Sequence, residues 1–124
     1  MSTRRCWIAL VVVVTACGKK TVPAPVVDGG DATRGRAAVS HYGCGACHTI
    51  GGIPGARGQV GPPLDGIAER VYIAGVLTND PENMVRWIEN PPAVDPLTAM
   101  PVLGVTDRDA RDIAEYLYSL DAAR

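Results

Sequence analysis

The sequence predicts a small all-α domain in which three to four helices surround a long loop rich in glycine and proline. Two helices, at residues 80–90 and 106–120, are marked by their caps and by apolar side chains at helical spacing. A third segment, residues 31–42, begins with a capping residue and ends at a glycine. No segment has the pattern of paired strands. The 124 residues leave room for one such domain.

The composition excludes several classes of protein. Basic and acidic residues nearly balance, 12 against 13, so the chain lacks the positive charge of a nucleic-acid-binding domain. Hydrophobic residues make up 47% of the chain, too many for a highly charged disordered protein. The sequence has no phenylalanine, two tryptophans and four tyrosines. Because a small domain buries little surface, we expect something other than side chains to help fill this core.

The helix boundaries follow from capping residues. Asp31 is expected to cap a helix that runs to about Tyr42, with Gly43 as the stop. Asp80 caps the next helix and Pro81 lies in its first turn, where the missing N–H costs nothing. The sequence Asn90-Pro91-Pro92 is expected to end that helix.

The last helix and the central loop complete the predicted fold. Thr106 begins a capping pattern. An apolar stripe follows it at helical spacing: Ala110, Ile113, Ala114, Leu117 and Leu120. Residues 49–76 hold seven glycines and three prolines, which predicts a long loop with at most a short helix at residues 65–72. So long a loop in a small domain indicates a function or a ligand to enclose.

The N-terminus has the features of an export signal. Arg4 and Arg5 precede an apolar run at residues 7–14, which is far shorter than the roughly 20 residues that span a bilayer. Residues 1–16 therefore read as a signal peptide. The segment Val14-Thr15-Ala16-Cys17-Gly18 resembles the lipobox of bacterial lipoproteins, in which the cysteine is acylated. The alternative is that Cys17 is a core or disulfide cysteine near an ordinary cleavage site.

These features divide the chain into three parts. Residues 1–16 are the predicted lipoprotein signal peptide, residues 17–30 a lipidated cysteine with a flexible tether, and residues 31–124 the folded domain. The last part has eight arginines, no lysine and twelve acidic residues, a formal charge of −4. Acylation of Cys17 would hold the protein on a bacterial membrane without crossing it, with the domain in the periplasm or on the cell surface.

The motif that indicates chemistry is Cys44-Gly45-Ala46-Cys47-His48. C-x-x-C-H is the pattern of c-type haem attachment. Two thiols three residues apart can each add to a vinyl group of the haem, and the adjacent histidine can supply a nitrogen ligand to the iron. The motif predicts one covalently bound haem c. No nucleophile and base, and no carboxylate pair, stands out as catalytic, so the chain is not expected to be an enzyme.

Three other interpretations of the motif compete with haem attachment. A thioredoxin-like site would need a βαβ context, which the sequence lacks. A zinc site could use His41, Cys44, Cys47 and His48, but two neighbouring residues are poorly placed to share one tetrahedral ion. A disulfide between Cys44 and Cys47 would close a very small loop and stabilise little.

The presence of a second axial ligand decides whether the iron has an open coordination position. Beyond Met1, the candidates are His41, Met84 and Met100. His41 is tied to the attachment segment and can hardly reach the opposite face. Met84 falls among apolar helix positions, where methionine is usually part of the core. Met100 precedes Pro101, which restricts it to an extended conformation, so Met100 is the preferred ligand and Met84 the alternative.

The domain resembles class I (mitochondrial-type) cytochrome c, a fold of three to four helices around one covalent haem. The resemblance runs from about residue 30 to residue 120, and residues 61–120 look particularly like the cytochrome c domains fused to or working beside bacterial terminal oxidases. It rests on the attachment motif and on four further segments in the same order: Gly61-Pro62-Pro63-Leu64, Arg86-Trp87-Ile88-Glu89-Asn90-Pro91, Met100-Pro101 and Tyr116-Leu117.

The resemblance implies roles for four more residues. The carbonyl of Pro62 would accept the N–H of the proximal imidazole, and Arg70 would lie near a haem propionate, unless it is only a solvated loop charge. Trp87 would pack against the haem on the methionine side, a position that core packing explains equally well. Gly35 would let the first and last helices approach closely.

The resemblance also implies a function, with one departure. It predicts a membrane-anchored cytochrome that carries single electrons between a quinol–cytochrome c reductase and a terminal oxidase, or a stable oxidase subunit. The domain has no lysine, whereas mitochondrial-type proteins usually carry a lysine ring that steers them to acidic partners. Two alternatives remain: a gas-binding or catalytic haem protein with a labile methionine, and a structural lipoprotein with zinc or a disulfide.

Overall fold

The first helix begins and ends as its capping residues predict. The computed structural model describes residues 23–122, with the side chains of residues 23–120. Helix α1 spans Ala32–His41, and the Asp31 carboxylate accepts a hydrogen bond of 2.8 Å from the Arg34 N–H. Gly43 follows in the left-handed region, at φ 71°, and turns the chain out of the helix. The proposed signal peptide and Cys17 lie outside the described residues.

The middle of the chain contains more regular structure than the sequence indicates. A single 3₁₀ turn, Ile67–Glu69, lies within the segment where a short helix was expected. A small antiparallel hairpin follows, with β1 at Tyr72–Ile73 and β2 at Leu77–Thr78. The sequence did not indicate this hairpin, because each strand has only two residues and shows no alternation that a sequence pattern could reveal.

Two helices then follow with Asn90 between them. Helix α2 spans Pro81–Glu89, and Asp80 caps it by accepting the Asn83 N–H at 2.9 Å. The predicted break after α2 is present, but Pro91 begins a further helical turn, α3, at Pro91–Val94. The Asn90 side chain caps α3 by accepting the Ala93 N–H. The two prolines occupy a first helical turn, where they leave no donor unpaired.

Helix α4, Asp107–Ala122, is the longest helix within residues 23–122 and packs across α1. Its predicted apolar stripe faces the core: Ala110, Ile113, Ala114 and Leu117 are each at most 4% exposed. At the crossing, a Cβ on Gly35 would overlap the Asp112 carbonyl group, so only glycine allows this approach. The interpretation of Gly35 as a helix-crossing residue therefore agrees with the geometry.

Polar contacts fix the crossing of α1 and α4. Arg34 forms a two-pronged ion pair with the buried Asp112 carboxylate, with both N–O distances at 2.7 Å. Asp112 also accepts the Asp31 N–H at 2.8 Å. The Val27 N–H donates to the Glu115 carboxylate at 2.8 Å, and the Val27 side chain is buried. The packed part of the chain thus already includes residue 27, four positions before Asp31.

The fold is mostly helical, and its helices pack around one core, as predicted. Within residues 23–122, none of the helices combines the length and the apolar character needed to cross a bilayer. Among the side chains that the structure describes, the largest fully buried one is that of Tyr118 on α4. Apolar side chains from α1, α2 and α4 meet in the centre, where they also border a large cavity.

Candidate functional site

The attachment motif forms a tight turn directly after α1. Residues Cys44–Ala46 make a 3₁₀ turn, and the N–H groups of Cys47 and His48 both donate to the Cys44 carbonyl, at 3.2 and 3.0 Å. The turn is enclosed by the following loop, because the Gly58 N–H donates to the Gly45 carbonyl at 3.1 Å. Both cysteines are half-buried, they form no disulfide with each other, and both line the cavity with His48.

The central cavity is the largest feature of the site. Its volume is about 650 Å³, within the roughly 300–1,000 Å³ of small-molecule and cofactor sites. The motif, the loop at residues 60–64, the hairpin, α2, the loop at residues 98–103 and α4 all contribute to its lining. Most of that lining is apolar. Among the lining residues that the structure describes, Arg70 is the only one of the acidic residues, lysines and arginines.

His48 is held in the tautomer that a metal ligand requires. Its Nδ1 lies 2.7 Å from the Pro62 carbonyl oxygen, which can only accept, so Nδ1 carries the proton. The Nε2 atom then keeps its lone pair for a metal. Gly61 makes this placement possible, because a Cβ there would overlap the imidazole ring. This is the contact that the resemblance implies for Pro62.

These observations test whether the residues present fit a haem. Covalent attachment of a haem needs a large apolar space, two thiols at its border and one oriented imidazole. The structure brings all of these to one cavity. The Val39, Ile88 and Ile113 side chains belong to the core and also line the cavity. A ligand there would complete the core of a protein that has no phenylalanine.

The other interpretations of the motif find no support in the geometry. His41 is exposed, and its ring contacts Tyr42 edge-on at 5.0 Å, away from the cavity lining. No group of three or more His, Cys, Asp or Glu side chains in the described part of the chain is arranged to hold a metal ion. Burial raises the pKa of the Cys44 thiol, whereas reactive thioredoxin-type cysteines have a lowered pKa.

Both candidate methionines reach the cavity. Met84 lies on the buried face of α2 and is 2% exposed. Met100 is half-buried in the loop before α4, where its N–H donates to the Thr98 hydroxyl at 3.2 Å. Trp87, one turn after Met84, is also buried against the cavity. The structure therefore brings Met84, Trp87 and Met100 together with His48, and Met100 as the ligand stays a prediction.

Arg70 lies at the cavity with its guanidinium partly engaged by the backbone. Its Nη2 atom donates to the carbonyl of Pro63 and, at 3.3 Å, to that of Asp65. These bonds hold the loop that carries Pro62. Arg70 is therefore more than a solvated loop charge, and its proposed place near a propionate stays a prediction.

Three exposed apolar side chains at the cavity were not predicted from the sequence. Val60 is 75% exposed, Tyr72 59% and Leu103 39%, and all three line the cavity. Val60 and Leu103 lie beside Gly61-Pro62 and Met100-Pro101 in the sequence, and this proximity is the signal by which they could have been found. Tyr72 belongs to the hairpin, which the sequence did not reveal.

A thiol pair, an oriented imidazole and an apolar cavity inside a small helical fold define a c-type haem protein. The family model described as cytochrome c matches residues 32–121, and the chain belongs to this family. It carries a covalently bound haem c, and its function is haem-based electron transfer. Domains of this family are typically electron carriers and not enzymes.

One relative of the chain is named as an oxidase subunit. The chain is 33% identical over 90 residues to the cytochrome c oxidase subunit 2 of Alkalihalophilus pseudofirmus. The match covers 72% of this chain and 25% of the relative, so the chain spans about a quarter of that protein.

Proposed function

We propose that the protein is a lipid-anchored cytochrome that passes single electrons between respiratory-chain partners. The observation that carries the proposal is the 2.7 Å contact between His48 Nδ1 and the Pro62 carbonyl, at the border of an apolar cavity that Cys44 and Cys47 also line. This arrangement suits one permanently bound haem.

The residues of the cavity have distinct tasks in this proposal. Cys44 and Cys47 would hold the haem covalently, and His48 Nε2 would be one protein ligand to its iron. The Met100 sulfur would be the other protein ligand, and the iron would then have no open position for oxygen or a substrate. A bound haem c supplies a one-electron couple at its iron, and a thioether ligand raises its potential. Arg70 supplies positive charge beside the cavity, and Trp87 excludes water.

The partners follow from the relative and from the surface of the domain. The match to a cytochrome c oxidase subunit 2 supports a terminal oxidase as electron acceptor. A quinol–cytochrome c reductase is then a suitable donor. Val60, Tyr72 and Leu103 give the cavity an apolar rim, and residues 31–124 contain no lysine. Docking therefore relies on apolar contact more than on steering by a positive field.

Membrane anchoring would compensate for weak electrostatic steering. Lipidation at Cys17 after export would confine the domain to the membrane surface that its partners occupy, on the periplasmic side or on the cell surface. Confinement raises the effective concentration of the partner without any new contact. The sequence around Cys17 supports this part of the proposal, and replacing Cys17 by serine should move the protein from the membrane fraction to the soluble fraction.

The ligand assignment is tested on holoprotein made with a cytochrome c maturation system. The intact mass should include one haem, and the oxidised form should have the weak sulfur-to-iron absorption band. Met100→Ala should abolish this band, lower the potential and let carbon monoxide bind the reduced form. Met84→Leu, a volume-conserving control, should keep the band.

Each result separates the proposal from its rivals. Loss of the band in Met84→Leu and not in Met100→Ala would make Met84 the ligand. Wild-type protein that lacks the band and binds carbon monoxide rapidly would be a gas-binding or catalytic haem protein. A mass without haem would leave the zinc or disulfide lipoprotein.

A further inference from the structure

A partly buried hydrogen-bond network connects α4 to Arg70, which holds the loop that carries Pro62. The Asn79 amide is its centre: Nδ2 donates to the carbonyls of Ile67 and Arg70, at 2.7 and 2.8 Å. Its Oδ1 accepts the Tyr118 hydroxyl at 2.8 Å. Tyr118 is 1% exposed, and burial raises the pKa of its hydroxyl, which therefore stays protonated as a donor. The amide thus uses both its donor and its acceptor ends.

The network continues from the Arg70 backbone to its side chain. The Arg70 guanidinium donates to the carbonyls of Pro63 and Asp65, so one residue joins the Asn79 contact to the segment at residues 63–65. Pro62 and Pro63 have no N–H of their own, so a carbonyl is the only backbone group by which Pro63 can be held. On its other side, the segment is held by the Gly61 N–H on the Cys47 carbonyl and the Leu64 N–H on the Thr49 carbonyl.

The network ends at the proximal imidazole. The Pro62 carbonyl accepts the His48 Nδ1 hydrogen at 2.7 Å, and Pro62 is bonded directly to Pro63. A stronger hydrogen bond at Nδ1 makes an imidazole a better electron donor through its other nitrogen. The position of the Pro62 carbonyl therefore affects the ligand strength of His48.

We propose that Tyr118 and Asn79 are positioning residues that set the electron-donor strength of His48 through Arg70 and the Pro62 carbonyl. This inference rests on the proposed function, because it requires His48 to be an iron ligand. It assigns a redox role to two residues that do not line the cavity. Loss of the network would loosen the Pro62 carbonyl, weaken the Nδ1 hydrogen bond and favour the reduced form of the protein.

The test compares two tyrosine-to-phenylalanine variants of the holoprotein. Tyr118→Phe removes the hydroxyl bond to Asn79 and keeps the ring. Tyr42→Phe is the matched control, because the Tyr42 hydroxyl also donates to an α4 side chain, Asp109, at 2.7 Å, and Tyr42 does not line the cavity. The readouts are the midpoint potential, the exchange rate of the His48 Nδ1 hydrogen by NMR, and stability to guanidinium chloride.

Both variants should lose stability, but only Tyr118→Phe should change the redox properties. We expect a more positive potential, equivalent to about a two- to tenfold change in the reduction equilibrium. The change should be modest because neither residue contacts His48; removal of a direct hydrogen-bond partner of a metal ligand typically costs roughly 10–100-fold in metal affinity or activity. The His48 Nδ1 hydrogen should exchange at least about threefold faster, because its hydrogen bond opens more often. Tyr42→Phe should leave both quantities at their wild-type values.

A second variant tests whether the two residues act as one unit. Asn79→Ala should shift the potential in the same direction, and the double variant with Tyr118→Phe should shift it no further than Asn79→Ala alone. A Tyr118→Phe protein that loses stability like Tyr42→Phe but keeps the wild-type potential and exchange rate would overturn the inference. A wild-type protein without histidine-ligated haem would overturn the proposed function itself, so the two failures are distinguishable.

Discussion

The buried carboxylate of Asp112 joins α1 to α4, and Asp112→Asn tests what its charge contributes. The carboxylate is 1% exposed and accepts two hydrogen bonds from the Arg34 guanidinium and one from the Asp31 N–H. Asparagine keeps the shape of the side chain but converts one oxygen into a donor. Since guanidinium nitrogens only donate, at least one bond from Arg34 must be lost.

The structure sets the size of this loss. A hydrogen bond to a charged group contributes roughly 1.5–3 kcal/mol. The Arg34 side chain is 47% exposed, so water can solvate it in the variant, and the lower part of the range applies to Asp112. We expect the free energy of unfolding to fall by about 2 kcal/mol at pH 7. For a domain of this size, that corresponds to a decrease in Tm of roughly 8–16 °C.

The effect should depend on pH in one direction. The hydrogen bonds from Arg34 hold the pKa of Asp112 below its usual range. A lowered pKa in the folded state stabilises the protein above the unfolded-state value, about 3.9, and this contribution is lost as the pH falls through the folded-state value. Thermal unfolding of both holoproteins from pH 7 to pH 2 should therefore show a gap that narrows in acid.

Asp107→Asn provides the control. Asp107 pairs with Arg111 at 3.1 Å, but its side chain is 60% exposed, and exposed pairs one helical turn apart contribute little. Its Tm should change much less than that of Asp112→Asn. A gap between wild type and Asp112→Asn that stays constant from pH 7 to pH 2 would refute the assignment of the loss to the carboxylate charge.

Three further predictions follow from the cavity and its surroundings. Gly61→Ala should displace the His48 ring from Pro62, because the new Cβ overlaps it, and should lower the yield of holoprotein with a normal haem spectrum; a normal yield and spectrum would contradict this packing. The double variant Cys44→Ala/Cys47→Ala, made without haem, should be largely unfolded, since the empty cavity lies inside the core; strong amide protection in hydrogen exchange would argue against it. Electron transfer to an oxidase should slow less with added salt than for a lysine-rich cytochrome, because residues 31–124 carry no lysine. The measurement is the stopped-flow rate at 10 and 200 mM salt, where the Debye length is roughly 30 and 7 Å. A steep fall of the rate between these two concentrations would contradict the prediction.

Much of the fold could be predicted from the sequence because it depends on contacts between neighbouring residues. Asp31, Asp80 and Thr106 all cap helices by accepting an N–H three residues later, an interaction that depends only on neighbouring residues. The helix start at Pro81 was predicted because proline fits a first turn. The same reasoning applies to Pro91, but Asn90-Pro91-Pro92 was interpreted only as a stop, so α3 was missed.

The remaining features depend on residues far apart in the sequence. The attachment motif is local and was found, and the methionine candidates were limited by composition. Asn79 and Tyr118 are 39 positions apart, and Arg34 and Asp112 are 78 apart, so no spacing pattern brings either pair together. The hairpin has two residue pairs in its ladder and owes its existence to tertiary packing of its buried residue, Ile73.

The crossing of α1 and α4 also determines when the domain can fold. Its hydrogen bonds join residues 78 to 88 positions apart, from Val27, Asp31 and Arg34 to Asp112 and Glu115. The first helix therefore packs on residues that follow it by most of the length of the domain. Until Asp112 and Glu115 have been synthesised, α1 lacks the surface that it packs against. Because contacts between residues so far apart require a long loop to close, we expect the crossing to form late in folding.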